Sequence, residues 1–262
     1  MIVVKYGGHV LDNPQTNENI ISTTAKYHRS GGKVVIVHGG GPSIEAELKF
    51  HDIPTSMVGG YRATSPEAME VVQRTLSGSV LRELTNTFIG LGVNAVGLST
   101  GDGNTLRAQK FHPIVDGVKT DIGLVGEAQS VDPTFLNLVL DNGYLPIISP
   151  VAVSTSGEPL NINGDIAAGA IAGALRASEI LFITDVAGIY RSWPDPTSII
   201  SEISQNELNE ISETFADGMA PKVRAVLNAL SSGAQRARII DGRDPKNLEQ
   251  ALDGVGGTVV NA

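Results

Sequence analysis

The sequence contains no cysteine, which excludes disulfide bonds, thiol catalysis and cysteine–zinc sites together. No apolar run approaches the roughly 18 residues of a membrane span. The formal net charge of −9 argues against a nucleic-acid surface, which normally carries basic clusters. We therefore expect a cytoplasmic protein that binds neither nucleic acid nor a membrane.

Short apolar runs of strand length alternate with amphipathic stretches of helical length along the 262 residues. Strands are predicted over 2–4, 34–37, 95–98, 145–148 and 180–183, and helices over 15–29, 42–50, 66–76 and 164–176. Near-continuous apolar strands between helices are typical of a parallel sheet covered on both faces. The sequence predicts an open, mainly parallel α/β sheet sandwiched between helices, with hairpins beside it over 106–125. Two lobes, 1–177 and 178–262, are expected to share this sheet.

Two glycine-rich turns directly follow predicted strands, one at Gly7-Gly8 and one at Gly39-Gly40-Gly41. Backbone N–H groups in such turns, with a helix N-terminus behind them, form a cradle for anions. Either turn alone is equally well interpreted as a tight turn, but the pair favours phosphate binding. The two common nucleotide signatures, G-x-x-x-x-G-K-[ST] and G-x-G-x-x-G, are both missing.

A competing pattern suggests an α/β-hydrolase. The H-G-G-G of residues 38–41 and the G-L-S-T-G of residues 97–101 match its oxyanion loop and nucleophile elbow, with Ser99 as the nucleophile. That fold also requires a histidine late in the chain. Only His112 follows Ser99, and the remaining 150 residues contain none. The hydrolase is therefore kept only as a distant alternative.

The five histidines show no spacing typical of metal ligands, so we expect no metal held by the protein itself. The segment from Asn161 to Asp165 precedes a helix rich in small residues. Asn163 or Asp165 could simply cap that helix. A functional role for these residues needs a more specific pattern.

That pattern is a resemblance to the amino acid kinase family, and within it to the branch that phosphorylates N-acetyl-L-glutamate. Each matching string is weak alone, but the strings follow the family's order from residue 3 to residue 261. They are VVKYGG, VIVHGGGPSI, GGYRAT, AVGLSTGDGN, DNGYLPIISP, NINGDIAAGAIAGAL, ITDVAGIY, DGMAPKV, IIDGR and GGTVVN.

The resemblance implies transfer of the γ-phosphoryl group of ATP, with Mg²⁺ carried by the nucleotide, to the γ-carboxylate of N-acetyl-L-glutamate in arginine biosynthesis. It implies that Lys5 and Lys222 stabilise the transferred phosphoryl group and that Asp165 holds both lysines. Without the ordered strings, both lysines would be interpreted as ordinary surface charges.

The resemblance also implies the binding residues, with the substrate in the first lobe and ATP in the second. The backbone N–H groups of Gly8, Gly40 and Gly41 would contact the phosphoryl group and the substrate, and Arg62 and Asn161 would hold the α-carboxylate. Residues 185–190 and 214–216 would line the nucleotide pocket, including Asp185, Gly188, Tyr190 and Phe215.

Some positions depart from the branch that acts on acetylglutamate. Gly164 stands where alanine is usual. The resulting Gly-Asp pair resembles the sequence of a sister branch, which phosphorylates 2-aminoadipate bound to a carrier protein in lysine synthesis. His9 and Tyr61 replace a commoner asparagine and leucine. The carrier-bound substrate is therefore an alternative, and a non-catalytic sensor of nucleotide or amino acid is a more distant one.

Arginine-inhibited hexamers of this family carry an extra helix before the first strand. Here the first predicted strand begins at Ile2, so we expect a homodimer that lacks this form of arginine control.

The expected chemistry fits the lack of a credible catalytic histidine. A γ-carboxylate has a reference pKa near 4.3 and is already ionised at neutral pH, so no general base is needed. Catalysis would then consist of positioning and charge stabilisation.

Overall fold

The structure is a computed structural model that describes residues 1–7, 14–115, 117–215 and 219–262. The strands are β1 (Ile2–Tyr6), β2 (Val34–His38), β3 (Met57–Val58), β4 (Tyr61–Arg62), β5 (Ala95–Ser99), β6 (Leu106–Lys110), β7 (Ile114–Val115), β8 (Val118–Lys119), β9 (Val125–Val131), β10 (Leu145–Ser149), β11 (Val151–Val153), β12 (Pro159–Ile162), β13 (Glu179–Thr184), β14 (Ile189–Tyr190), β15 (Ile199–Ile200), β16 (Glu202–Ser204), β17 (Arg236–Asp241) and β18 (Thr258–Asn261). The helices are α1 (Pro14–Arg29), α2 (Gly41–Phe50), α3 (Pro66–Gln73), α4 (Leu81–Gly90), α5 (Thr134–Asp141), α6 (Gly164–Ala174), α7 (Gln205–Glu210), α8 (Met219–Ser231) and α9 (Pro245–Leu252). A π-helical segment, Arg74–Val80, joins α3 to α4.

The main sheet has eight strands in the order β16-β18-β17-β13-β1-β2-β10-β5. Every neighbouring pair is parallel except β17 and β18. The central strands are runs of Val and Ile because both of their faces are buried. Within β1, Val3 belongs to one hydrophobic core and Val4 to the other. The predicted open, mainly parallel sheet between two helical layers is confirmed.

The predicted helix over 66–76 ends too early. In the structure the helical path continues from α3 through the π-helical segment and α4 to Gly90. Leu76, Leu81, Leu84 and Phe88 keep this path buried against the sheet. Gly78 weakens a helix but does not end one, and no proline interrupts the segment.

The predicted hairpins over 106–125 contain one separate hairpin, β7–β8, and the strand β6, which belongs to a second unit. Strands β6 and β9 pair antiparallel, and together with β11 and β12 they form a small closed barrel. Leu106, Leu160 and Ile162 are buried inside the first core. The sequence did not predict the barrel, because two of its strands come from residues 151–162, outside the predicted hairpins.

The division into lobes at Ala177 stays a prediction. Strands from both sides of this position lie in the one eight-stranded sheet, where β1 is directly paired with β13. No described helix is long and apolar enough to cross a membrane.

Helices α6 and α8 approach each other closely through two glycines. A Cβ atom added at Gly169 would lie 2.8 Å from Cα of Ala229, and one at Gly173 would lie 1.7 Å from the carbonyl oxygen of Ser232. The contacts advance in the same direction along both helices, so α6 and α8 run parallel. Gly164 lies near the carbonyl of His38, so α6 begins at the carboxyl edge of β1 and β2. Lys222, near the start of α8, contacts Asp185, which directly follows β13.

A buried ion pair joins β13 to β17 and to the turn before β18. Nε of Arg238, on β17, donates to Oε1 of Glu179 over 2.8 Å, and both side chains are at most 3% exposed. The guanidinium also donates to the carbonyl oxygens of Gly254 and Gly256, just before β18. Arg236 adds a second contact to the same carboxylate at 3.2 Å.

We expect Glu179→Ala to lower the free energy of unfolding by about 3–5 kcal/mol, because it leaves the buried guanidinium of Arg238 without its counter-charge. Urea denaturation measures this loss. The matched control is Lys33→Ala, which removes one member of the exposed Lys33–Asp141 pair and should cost less than about 1 kcal/mol. Equal effects of the two substitutions would contradict this view of the buried pair.

Candidate active site

A cleft of about 270 Å³ opens at the carboxyl edge of the main sheet. The N–H of Gly39 donates to the carbonyl of Tyr6, which fixes the turn between β2 and α2. The positive ends of α2 and α6 both meet this edge, where a helix N-terminus favours anions. The predicted site residues that line the cleft are Lys5, Gly40, Gly41, Arg62, Asn161 and Asp165.

Lys5 and Asp165 form an ion pair across the floor of the cleft. Their Nζ and Oδ1 atoms are 2.9 Å apart, with 16% and 30% of the side chains exposed. Lys5 is held by β1, which is paired on both sides, and Asp165 is the second residue of α6. Asn163 caps this helix by accepting from the N–H of Asp165 at 2.8 Å. The ammonium group is therefore held at a fixed point.

Arg62 lies at the opposite wall, on the β3–β4 hairpin. Its guanidinium donates to the carbonyl oxygen of Gly41 and to the hydroxyl of Thr55, each over 3.3 Å. Glu45 lies 3.9 Å away and is largely exposed, so it neutralises the guanidinium only weakly. These contacts hold a planar cation at the start of α2, where it is suited to a carboxylate.

Asn161 comes to the cleft from β12, a strand of the barrel. Its Nδ2 group donates to Oγ1 of Thr64 over 3.2 Å, and that hydroxyl donates to the carbonyl oxygen of Arg62 over 2.8 Å. Thr64 thus links two predicted substrate residues that are 99 positions apart. Thr64 was not among the predicted site residues, although it lies within the GGYRAT string.

Lys222 lies near the start of α8. The described residues that line the cleft do not include it. Its Nζ is 3.2 Å from Oδ1 of Asp185, which follows β13. The predicted role of Asp165 in holding both lysines stays a prediction. The ion pair with Asp185 does connect the second lysine to the predicted nucleotide segment.

The other predicted nucleotide residues lie outside the cleft and stay a prediction. Gly188 lets its loop pack on β18, because an added Cβ would lie 2.3 Å from Oγ1 of Thr258. Tyr190 is buried and meets Trp193 edge to face at 4.9 Å. Phe215 packs against the first core. Two further predicted residues, Gly8 and Ala216, are outside the described part of the chain.

Ser99 does not have the surroundings of a hydrolase nucleophile. Its hydroxyl donates to that of Ser77 over 3.0 Å, and Ser77 in turn bonds Ser149 at 2.7 Å. After Ser99 the described chain makes one short turn, Asp102–Asn104, and enters β6. A nucleophile elbow would instead lead into a helix.

Comparison with known proteins agrees with the geometry of the cleft. Residues 1–241 match the model of the amino acid kinase family. The chain belongs to this family. It is 42% identical over 253 residues to the acetylglutamate kinase of Arthrobacter sp. (strain FB24), covering 94% of this chain and 82% of the relative.

A second relative, the acetylglutamate kinase of Corynebacterium urealyticum, is 39% identical and covers 100% of this chain and 87% of its own length. Among solved structures, N-acetylglutamate synthase from Neisseria gonorrhoeae, in complex with coenzyme A and N-acetyl-glutamate, superposes with a TM-score of 0.84 at 23% identity. It covers all of this chain, but the chain spans only 59% of the synthase. At that identity the likeness shows the amino acid kinase fold alone.

His38 ends β2 directly before the glycine turn of this amino acid kinase fold. The side chain is fully buried, and its Nδ1 bonds the carbonyl oxygen of Gly39 at 2.7 Å. Within the described residues, its Nε2 has no hydrogen-bond partner. Burial lowers the pKa of His38 to about 4, while the bond to Gly39 opposes this shift. The imidazole is therefore neutral at physiological pH.

This burial predicts a pH-dependent stability. The folded-state pKa of His38 lies below its unfolded value of 6.5, so its contribution is complete above pH 6.5 and is lost as the pH falls towards 4. Between pH 7 and 5 the loss should be roughly 2 kcal/mol. Urea denaturation at pH 7 and pH 5 should show a smaller loss in the free energy of unfolding for His38→Gln than for the unsubstituted protein. An identical pH dependence in the two proteins would refute the assignment.

Proposed function

We propose that the chain transfers the γ-phosphoryl group of ATP to the γ-carboxylate of N-acetyl-L-glutamate, giving N-acetylglutamyl 5-phosphate and ADP in arginine biosynthesis. The proposal is supported by relatives about 40% identical over nearly the whole chain that are named acetylglutamate kinases. The observation that carries it is the cleft itself, which brings one lysine, one arginine and two helix N-termini together in an otherwise acidic protein.

The substrate would lie between two cationic walls. Its α-carboxylate would be bound by Arg62. The guanidinium donates to two protein oxygens and still has N–H groups left for a planar anion. Asn161 would add a hydrogen bond to the same group. The γ-carboxylate would then point across the cleft, away from Arg62 and towards Lys5 and Asp165.

The reaction needs no proton transfer to begin. An oxygen of the ionised γ-carboxylate attacks the γ-phosphorus of ATP, and the bond from that phosphorus to the leaving oxygen of ADP breaks. The obstacle is the repulsion between two anions. Lys5, which is mostly shielded from solvent, would attract the charge on the transferred group more strongly than an exposed lysine.

The second cationic group would be Lys222, paired with Asp185 at the nucleotide side. No cluster of three His, Cys, Asp or Glu side chains suited to a metal occurs in the described residues. Asp165 and Asp185 are already each paired with a lysine. Mg²⁺ would therefore be held chiefly by the phosphates of ATP, and when bound it would neutralise their charge.

Gly164 does not distinguish acetylglutamate from the carrier-bound alternative. A methyl group added there would meet the carbonyl oxygen of His38 at 3.6 Å and Cε of Lys5 at 3.9 Å, which are ordinary contacts. Glycine and alanine therefore both fit. A homodimer in the cytoplasm also stays a prediction, and light scattering would test the dimer.

The function is tested by ADP release with N-acetyl-L-glutamate, N-acetyl-L-2-aminoadipate and L-aspartate under the same conditions. We expect the highest kcat/KM for N-acetyl-L-glutamate. Faster turnover of the aminoadipate derivative would favour the lysine-pathway alternative. Lack of ADP release with all three would contradict a kinase of free amino-acid carboxylates.

We expect Lys5→Ala and Lys222→Ala each to lower kcat by roughly 10²-fold or more, as the loss of one preorganised donor does. Both variants should remain folded, because neither lysine lies in a hydrophobic core. Lys49→Ala, which removes an exposed lysine near the end of α2, is the matched control and should keep normal kcat. Near-normal kcat in both folded active-site variants would remove this mechanism.

Arg62→Lys should act mainly on substrate binding. Lysine cannot make the two parallel hydrogen bonds of a guanidinium, so the KM for N-acetyl-L-glutamate should rise roughly tenfold while kcat changes less. Initial rates at varied acetylglutamate and fixed saturating ATP measure this. A change confined to the KM for ATP would place Arg62 elsewhere in the reaction.

A further inference from the structure

A second, smaller cavity of about 100 Å³ lies directly beside the substrate cleft. The two cavities share four wall residues, namely Gly60, Tyr61, Asn163 and Asp165. The outer wall of the smaller one comes from α8, with Arg224 and Asn228. We call it the side pocket. The two cavities therefore adjoin, so a ligand held in the cleft lies next to the side pocket.

Arg224 gives the side pocket a positive charge. Across the part of the chain that the structure describes, it takes part in no hydrogen bond and no ion pair. The one acid that lines the side pocket among the described residues, Asp165 in the shared wall, already has a partner in Lys5 at 2.9 Å. The guanidinium is close enough to Tyr61 to lower the pKa of that phenol, against the larger opposing effect of burial.

The polar groups around Arg224 are suited to an anion. Oδ1 of Asn163 is used as the cap of α6, which leaves its NH₂ group to donate. Asn228 supplies another amide, and Tyr61 a hydroxyl. The volume far exceeds the roughly 10–15 Å³ that one water molecule needs, so a group of several heavy atoms fits.

N-acetyl-L-glutamate has three polar groups, and the proposed function assigns two of them. The γ-carboxylate belongs to the end of the cleft at Lys5 and the α-carboxylate to Arg62, which leaves the N-acyl group. In this placement of the substrate, the N-acyl group would face the shared wall.

Resting on that proposed function, we infer that the side pocket is a subsite for an acyl group that ends in a carboxylate, which Arg224 recognises. The enzyme would then prefer N-acyl glutamates with a short anionic acyl chain over neutral ones of equal length. N-succinyl-L-glutamate is the simplest member of this class. The phosphoryl transfer itself is unchanged, so Arg224 is a specificity residue and not a catalytic one.

The test compares N-succinyl-L-glutamate with N-butyryl-L-glutamate, whose acyl chain has the same length and no charge. N-acetyl-L-glutamate is measured alongside them. We expect kcat/KM for the succinyl compound to exceed that for the butyryl compound by roughly two- to fivefold, because Arg224 is solvent-exposed and water screens its attraction for a carboxylate. In Arg224→Gln this ratio should fall to about one.

The control variant is Arg74→Gln, the same substitution at an exposed arginine that lies outside the side-pocket lining. It should keep the wild-type ratio. Turnover of N-acetyl-L-glutamate without a preference for the succinyl compound would overturn the inference and leave the proposed function standing. A preference that survives in Arg224→Gln would also overturn it.

Turnover of the succinyl compound alone would support the subsite and overturn acetylglutamate as the substrate. No turnover of any of the three would overturn both statements. Because the result is a ratio within one protein preparation, partial misfolding of a variant does not change its meaning.

Discussion

The ion pair between Lys5 and Asp165 is the contact on which the site depends. It joins the central strand of the sheet to the first turn of α6. The pair keeps an ammonium group at the point where the positive ends of two helices converge. An acidic protein repels two anionic reactants in general, so the favourable potential must be local and fixed in place.

The surrounding architecture brings distant segments to this point. The sheet supplies Lys5, the β3–β4 hairpin supplies Arg62, and the small barrel supplies Asn161. The hydroxyl of Thr64 links the last two. Helices α6 and α8 pack closely at Gly173. Lys222, near the start of α8, contacts Asp185 just after the carboxyl end of β13. The residues that we propose to bind the substrate and the phosphoryl group thus come from separate elements of the fold.

Much of the main sheet could be predicted from the sequence, because runs such as Val34 to Val37 are apolar on both faces and are bounded by glycines. The glycine turn that contains Gly40 could be predicted for a similar reason, since it directly follows such a run. Lys5 could not, because a lysine at the end of a strand looks like an ordinary surface charge. The role of this lysine was implied by the family resemblance. Arg62 could not be assigned from periodicity, because its hairpin has only two residues in each strand. Its role came from the family resemblance.

The barrel and the side pocket were not predictable, for a different physical reason. Both depend on contacts between segments that are far apart in the chain and have no shared periodicity. Thr64 bonds Asn161, and Arg224 shares a cavity with Tyr61. A lone polar residue in a sequence looks the same whether it is solvated or faces a cavity. Only the folded arrangement separates these two cases.

The central claim is that the cleft brings a carboxylate and the γ-phosphoryl group of ATP together. The product of that reaction is an acyl phosphate, which hydroxylamine converts to a stable hydroxamate. The most direct measurement is therefore mass spectrometry of a reaction containing N-acetyl-L-glutamate, MgATP and hydroxylamine. We expect the γ-hydroxamate of N-acetyl-L-glutamate in amounts equal to the ADP formed. ADP release without any hydroxamate would contradict it.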